Sequence, residues 1–260
     1  MRLSFFTMIY FSFDNTFEGL LTAVFDAFNR KQFPDKLITE NENIPLFTEV
    51  FSVITDTSKS ERVLSGLHKK ISKSAIHMLF TCFLAENTEV STRIFNYIRK
   101  AFGATKSIEL NFADPDVLEL SKIYKKVQRE AEKMRQFIRF QKTGDDIFFA
   151  VFEPIYNVLP ISAEFFEDRF ADQQWIIYDV KRHYGLYYNL EKTEIVTFEN
   201  LNVSLADGKL SPELLNEKEA DFQQLWKLYF KSAAIKERIN PKLQRQHMPR
   251  RFWKYLTEKN

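Results

Sequence analysis

Hydrophobic positions in the first half of the chain alternate in two short stretches and recur every three or four residues in the longer ones. The alternation predicts a strand over residues 3–13, and an edge strand or irregular extension over residues 47–55. The helical spacing predicts helices over residues 17–28, 58–71, 74–85, 89–102 and 115–137. The polar stretch over residues 32–45 is predicted to be a loop.

The second half is predicted to contain two β-hairpins, two short helices and one long helix. The turn sequence KTGDD separates apolar runs at residues 138–141 and 147–153, and a second hairpin is predicted from residues 175–179 and 186–189. Further elements are predicted as a helix over 161–170, a strand over 194–198, a polar linker over 202–212, a helix over 219–239 and a short helix from Pro249. This order indicates an α+β fold, predominantly helical, with a small antiparallel sheet of hairpins. We expect a single domain over residues 1–260, with the linker as a weak boundary.

Several familiar cofactor sites are excluded by the residue types that the chain lacks. Its six glycines are far apart, so neither a dinucleotide fingerprint nor a P-loop is present. Its four histidines form no HExxH motif, and the single cysteine, Cys82, can hold neither a zinc knuckle nor an iron–sulfur cluster. We therefore expect no cofactor and no metal, and the sequence leaves open whether the protein is an enzyme. One cysteine and no long apolar run predict a cytoplasmic protein without a membrane span.

Positive charge is concentrated at the end of a nearly neutral chain. The net charge is +2, yet the segment from Trp226 onward carries ten Lys or Arg and two Glu, which leaves the remainder at −6. Cations mixed with aromatic residues are typical of surfaces that bind nucleic acids. The candidate phosphate contacts are Lys227, Lys231, Arg238, Lys242, Arg245, Arg250 and Arg251, with Trp226 and Trp253 as candidates for base stacking.

Two alternatives to nucleic-acid binding remain for this segment. Trp226 could simply belong to the core, and the residues that follow Asn240 could be a solvated tail. Helical spacing also predicts that an apolar face of the last long helix points to the core; it comprises Leu225, Leu228, Ile235 and Ile239.

A second group of candidates lies at the tip of the second hairpin. Lys181 and Arg182 are expected to be exposed there and could add phosphate contacts. Asp179 and His183 could form an acid/base pair, and Glu153 offers another carboxylate for catalysis. A turn with ordinary surface charges is the alternative.

Several segments, in this order, resemble a bacterial family of uncharacterised domains. They are FDNTFEGLLTAV at 13–24, DPDV at 114–117, RQFIRFQ at 135–141, EPIYNVLP at 153–160, residues 168–188 and residues 226–255. The run INPKLQRQHMPRRFWKYL is the most specific of them. Members of the family are labelled DNA repair or DNA metabolism proteins, are encoded beside a radical S-adenosylmethionine (radical SAM) protein, and are sometimes fused to a uracil-DNA glycosylase-like domain. Many relatives are expected to have His where this chain has Tyr156.

This resemblance implies DNA and a radical SAM protein as partners. A chain with one cysteine cannot bind the cluster of a radical enzyme, so it would be the accessory protein. Three functions follow as hypotheses: a DNA-binding accessory protein in DNA repair, an enzyme of glycosylase or nuclease type acting on damaged DNA, and an interaction subunit of the radical SAM enzyme.

Overall fold

The structure is a computed structural model that describes residues 8–39, 42–198, 203–204, 208–235, 237 and 240–259. The chain divides into two compact units, Met1–Gln128 and Arg129–Asn260. Among the described residues, no helix is long and apolar enough to cross a membrane.

The first unit contains a three-stranded parallel sheet and helices. The strands are β1 (Met8–Ser12), β2 (Lys36–Ile38) and β3 (Thr48–Ser52), in the order β2-β1-β3. The helices are α1 (Phe17–Arg30), α2 (Thr57–Leu67), α3 (Lys73–Phe83) and α4 (Thr88–Gly103). Helix α1 begins after Thr16, an N-cap residue whose hydroxyl accepts a hydrogen bond from the Gly19 N–H at 2.9 Å. Its apolar face, with Leu20 and Val24 fully buried, forms part of the core of this unit.

Helix α5 (Pro115–Phe137) begins after Asp114, whose carboxylate accepts hydrogen bonds from the N–H groups of Asp116 and Val117. The division between the two units falls within this helix. The second unit contains β4 (Gln141–Lys142), β5 (Phe148–Phe152), α6 (Ala163–Arg169), β6 (Trp175–Asp179), β7 (Tyr184–Tyr188), β8 (Thr193–Val196), β9 (Val203–Ser204), β10 (Lys209–Leu210), α7 (Glu219–Ala233) and α8 (Pro241–His247). Short 3₁₀ helices cover Pro212–Leu214, Arg250–Tyr255 and Thr257–Lys259.

The α+β class is confirmed, but the prediction of a small antiparallel sheet is wrong. The second unit holds a five-stranded sheet in the order β4-β5-β6-β7-β8. Both predicted hairpins are present, since β4 and β5 are antiparallel and so are β6 and β7. The two hairpins are joined through a parallel pair, β5 and β6, because the connection between them contains α6 and returns the chain in the same direction. The sheet is therefore mixed.

Four further predictions need correction. The predicted loop over residues 32–45 contains β2, and the predicted linker over 202–212 contains β9 and β10, although part of it lies outside the described residues. The last long helix ends at Ala233, because Ala234 has an extended backbone with ψ of 119°. The prediction that its apolar face packs on the core is also wrong, since Leu225, Leu228 and Ile235 are all exposed. Ile239 lies outside the described residues.

The end of the chain is anchored by aromatic packing. Phe252 is buried, and its ring stacks on that of Phe152 with centroids 5.1 Å apart and planes 8° from parallel. The Phe137 ring packs on the Phe252 ring, with centroids 5.4 Å apart. Tyr255 and Leu256, which follow Phe252 in the sequence, are also buried. The segment from residue 250 onward is therefore part of the folded second unit, and the cations within it have defined positions.

Candidate nucleic-acid interface

Three distant segments of the second unit line one cleft of about 480 Å³. The first follows strand β5, the second is the turn between β6 and β7, and the third is the 3₁₀ helix Arg250–Tyr255. The lining residues are Glu153, Pro154, Ile155, Lys181, Arg250, Arg251 and Lys254, and we call this the cationic cleft. It brings together three of the predicted phosphate contacts and one predicted catalytic carboxylate.

The turn that presents Lys181 is built around the buried carboxylate of Asp179. One carboxylate oxygen accepts hydrogen bonds from the backbone N–H groups of Lys181 and Arg182, and the other accepts from the Arg182 guanidinium at 2.7 Å. Burial raises the pKa of Asp179, although its hydrogen bonds with Arg182 partly oppose this change. Asp179 therefore shapes the turn and is committed to Arg182, which leaves it poorly placed to act on a ligand.

Lys181 and Arg182 fasten this turn to the segment after β5. The Lys181 ammonium donates to the Ile155 carbonyl at 3.0 Å, and the Arg182 guanidinium donates to the Pro154 and Ile155 carbonyls at 3.3 and 3.1 Å. The Arg182 side chain is nearly buried, whereas Lys181 is exposed at the cleft. Arg182 thus holds the turn against the segment after β5. Lys181 makes one such contact and is exposed, so it can contact a bound anion as well.

Arg251 is held from behind the cleft by a buried carboxylate. Its guanidinium donates two hydrogen bonds to Glu130, at 2.7 and 2.5 Å, and the Glu130 side chain is only 4% exposed. Glu130 also accepts a hydrogen bond from the Ile155 N–H at 2.9 Å. A planar guanidinium held by both carboxylate oxygens has a fixed orientation. Arg251 therefore fixes the wall of the cleft, and its charge is largely balanced by Glu130.

Glu153 lies at the cleft as an ionised carboxylate. It accepts hydrogen bonds from the Lys254 ammonium at 2.6 Å and from the Tyr255 hydroxyl at 3.1 Å. The hydrogen bond from Lys254 lowers the pKa of Glu153, whereas burial raises the pKa of Tyr255 to about 12. Glu153 is consequently ionised at neutral pH, where it can hold a cation but is unsuited to donate a proton.

Arg250 is the exposed cation of the third segment. Its guanidinium lies 5.8 Å from the centre of the Trp253 ring, and the Trp253 N–H donates to the Met248 carbonyl at 3.0 Å. Neither Arg250 nor Lys181 forms an ion pair with a carboxylate in the part of the chain that the structure describes. Four cations and one carboxylate line the cleft, so it stays positive after the charge of Glu130 behind it is counted.

The remaining predicted phosphate contacts do not line this cleft. Lys227 and Lys231 are exposed on α7, and Lys242 and Arg245 are exposed on α8. None of the four has a carboxylate partner among the described residues. They give the second unit additional positive surface. Arg238 lies outside the described residues.

Trp226 is partly exposed, and polar contacts fix its orientation. Its indole N–H donates to Glu258 at 2.9 Å, and the Arg139 guanidinium lies 5.6 Å from the ring centre. Arg139 also donates to Glu258 at 2.7 Å, and the Glu258 side chain is almost fully buried. Burial alone would raise the pKa of Glu258, but the hydrogen bonds from Arg139 and Trp226 outweigh it and lower the pKa.

Replacing Glu258 with glutamine is expected to destabilise the protein by about 2 kcal/mol at pH 7, because it removes charge-assisted hydrogen bonds to Arg139 and Trp226. The folded-state pKa of Glu258 is lowered, so its contribution is complete above its ordinary value of 4.5 and is lost as the pH falls through the folded-state value. The difference between wild type and Glu258→Gln should shrink in acid. Urea unfolding at pH 7 and at several lower pH values measures it.

The exposed Glu217 provides a matched control. Glu217→Gln removes the same charge just before α7, the helix that carries Trp226. We expect this control to leave the free energy of unfolding within about 0.5 kcal/mol of wild type. A constant difference between wild type and Glu258→Gln at every pH would contradict the proposed cause.

The three predicted catalytic residues have different surroundings in the fold. Glu153 lines the cationic cleft, whereas Asp179 is buried against Arg182. His183 is exposed in a left-handed backbone conformation with φ of 57°, and its backbone N–H donates to the Asp179 carbonyl. Within the described ranges, no group of His, Cys, Asp and Glu is arranged to hold a metal ion.

Three contributors to the site were not identified from the sequence. Lys254 follows Arg250 by four residues, and this helical spacing could have placed both on one face. Glu130 lies beside the apolar stripe of Val127, Ala131 and Met134, where a carboxylate needs a partner. No pattern in the sequence predicts the pairing of Arg139 with Glu258, because 119 residues separate them.

Comparison with known proteins identifies a family. A family model described as a domain of unknown function, DUF4130, matches residues 88–258, well over half of the chain. A search of curated proteins and a search of solved structures each return no match. The matched region begins at α4 and includes every residue that lines the cationic cleft.

Proposed function

This chain belongs to the DUF4130 family, a family of unknown function, and we propose that it binds the phosphodiester backbone of DNA. The observation that carries the proposal is the meeting of Lys181, Arg250, Arg251 and Lys254 around one open cleft. Ammonium and guanidinium groups are the side chains that contact phosphate oxygens in most complexes with nucleic acids.

The charge distribution favours a polyanion over a single small anion. Lys254 and Arg251 are balanced by Glu153 and Glu130, but Lys181 and Arg250 bring uncompensated charge to the cleft. The exposed cations of α7 and α8 add further positive surface to the same unit, outside the cleft. A ligand with several phosphates in a row would use both regions, and binding would release counterions with each contact.

The biological setting that we propose comes from the resemblance described above. A family labelled for DNA repair, encoded beside a radical SAM protein and sometimes fused to a uracil-DNA glycosylase-like domain, suggests an accessory protein that delivers DNA to the radical enzyme. We therefore propose a cytoplasmic DNA-binding accessory protein with the radical SAM protein as its partner.

Salt-titrated binding tests this proposal. Each of Lys181→Ala and Arg250→Ala should weaken binding of short single- or double-stranded DNA and reduce the slope of log K against log salt by about one. The double variant should reduce the slope by about two. Fluorescence anisotropy of labelled oligonucleotides over a range of salt concentrations measures the slope.

Lys192→Ala is the matched control, because Lys192 is an exposed lysine of the same unit that lies outside the cleft and pairs with Glu194. Its salt slope should equal that of wild type. Equal slopes for wild type, Lys181→Ala and Arg250→Ala would reject the cleft as the phosphate-binding site.

A second candidate function is an interaction subunit of the radical SAM enzyme. The exposed apolar side chains of Leu225, Leu228 and Tyr229 on α7 favour it, since large apolar groups clustered on one surface are typical of protein interfaces. Co-purification of the two proteins after nuclease treatment distinguishes a direct protein contact from a contact through DNA.

A further inference from the structure

A second and larger cleft, of about 690 Å³, lies in the same unit beside α7. Its volume is in the range of pockets that hold small organic ligands. Four aromatic side chains line it. Phe140 precedes β4, Phe148 begins β5, and Phe222 and Trp226 belong to α7. We call this the aromatic cleft.

Neighbouring groups hold most of these rings in place. Phe140 packs edge-on against Phe170 with centroids 5.3 Å apart, and Phe148 lies beside the Lys142 ammonium at 5.8 Å. Trp226 is oriented by its hydrogen bond to Glu258 and by Arg139. Phe222, at 58% exposure, is the most accessible of the four, and Trp226 is 39% exposed. Aromatic faces that are both fixed and accessible suit a flat ligand.

Each charged group that lines the aromatic cleft already has a partner in the protein. Arg139 pairs with Glu258 at 2.7 Å, and Lys142 pairs with Asp146 at 2.6 Å. Glu219 accepts hydrogen bonds from the Lys142 backbone N–H at 3.0 Å and from the Gln223 amide at 2.9 Å. The aromatic cleft therefore offers little attraction for an anion, in contrast to the cationic cleft, and an uncharged ligand fits it best.

Two glutamine side chains among the lining residues add hydrogen-bonding groups to the aromatic cleft. The Gln223 amide nitrogen is committed to Glu219, which leaves its carbonyl oxygen as an acceptor, and the exposed Gln136 amide offers both a donor and an acceptor. Aromatic faces with amide groups at the edge are the combination that binds unpaired nucleobases, by stacking and by hydrogen bonds to the base edge.

We propose that the aromatic cleft binds an unpaired nucleobase of the DNA whose phosphates the cationic cleft holds. This inference rests on the proposed function for its biological ligand, but the base-binding site can be tested without DNA binding. The base lies against Phe222 and Trp226, and the amides of Gln136 and Gln223 contact its edge.

Oligonucleotides with and without their central bases provide the test. Wild type should bind a single strand with every base present more tightly than one in which abasic sites replace central bases, by between about fivefold and a hundredfold, since the backbone charge is equal and only stacking is lost. Phe222→Ala should remove this preference, and Phe222→Tyr should retain it because the ring is preserved. Phe222 is an exposed helix residue, so its replacement should leave the fold intact.

Leu225→Ala is the control on the same helix, because Leu225 is equally exposed and lies outside the cleft. It should keep the preference for base-containing strands. Equal affinity of wild type for both strands, or a preference that survives Phe222→Ala, would overturn the inference.

A titration with free nucleosides separates this inference from the proposed function. Saturation-transfer NMR should show nucleoside contacts with wild type that are lost in Phe222→Ala. If no oligonucleotide binds, the proposed function fails, and the nucleoside titration alone decides the inference. Contacts that Phe222→Ala removes would uphold the aromatic cleft as a base site, and their absence in wild type would reject it.

Discussion

Replacing Arg251 with alanine is expected to lower the free energy of unfolding by about 3–5 kcal/mol. The substitution leaves the Glu130 carboxylate buried without the two hydrogen bonds that it accepts from the guanidinium at 2.7 and 2.5 Å. A carboxylate that is 4% exposed cannot recover this loss from water. Urea unfolding followed by circular dichroism measures the effect.

Two variants check the cause. Arg250→Ala removes the neighbouring exposed arginine and should change the free energy of unfolding by no more than about 0.5 kcal/mol. The double variant Glu130→Gln with Arg251→Met removes both charges, keeps an acceptor for the Ile155 N–H, and should recover most of the loss. A loss below about 1 kcal/mol for Arg251→Ala would show that the pair contributes little to the fold.

The same pair determines which variants can test DNA binding. Arg251→Ala would weaken DNA binding by disturbing the fold, whether or not the guanidinium touches a phosphate. Lys181 and Arg250 form no ion pair with a carboxylate in the described part of the chain, so their replacement reports mainly on the ligand contact. Lys181→Ala also removes one hydrogen bond to the Ile155 carbonyl, which makes Arg250→Ala the cleaner of the two variants. The informative positions are therefore two of the candidates that the sequence proposed.

Local patterns predicted the elements of the fold better than their assembly. The two hairpins were predictable because the strands of each are close in sequence and joined by turns. The parallel pairing of β5 with β6 was not predictable from the sequence. The register of Phe148 with Trp175 depends on a crossover connection that no short pattern encodes. Strand β2 has three residues, which is too few to show alternation.

Hydrophobic periodicity also failed to show what covers a helix face. Leu225 and Leu228 lie on a regular apolar face of α7, and the sequence alone favoured packing on the core. Both are exposed, because α7 is fastened by Glu219 at its first turn and by Trp226 on a different face. Periodicity identifies a face, and a structure is needed to identify its partner.

Three of the four cations of the cationic cleft, Lys181, Arg250 and Arg251, were predicted from the sequence, but the carboxylate partners in the site were not. Glu130 and Arg251 are 121 residues apart, and Glu153 and Lys254 are 101 apart. Counting charges along the chain therefore overstated the positive charge that is available to a ligand. The convergence of Lys181 with Arg250 is likewise a result of the tertiary fold.

Replacing Asp179 with alanine is expected to destabilise the protein by about 3 kcal/mol, the second large effect. The Asp179 side chain is fully buried and accepts hydrogen bonds from two backbone N–H groups of the turn and from the Arg182 guanidinium at 2.7 Å. Its loss also removes the ion pair between Asp179 and the nearly buried Arg182. Asp179→Asn keeps the acceptor for the turn and should cost about half as much.

The comparison with His183 separates a structural role of Asp179 from a catalytic one. His183→Asn tolerates the left-handed backbone at this position and should leave the free energy of unfolding within about 0.5 kcal/mol of wild type. If Asp179 and His183 formed a catalytic pair on DNA, His183→Asn would abolish turnover of a lesion-bearing oligonucleotide without changing stability. If Asp179 is the cap of the turn, Asp179→Ala lowers the urea midpoint and His183→Asn changes neither stability nor DNA binding. Because the carboxylate oxygens face the turn N–H groups and Arg182, we expect the second outcome.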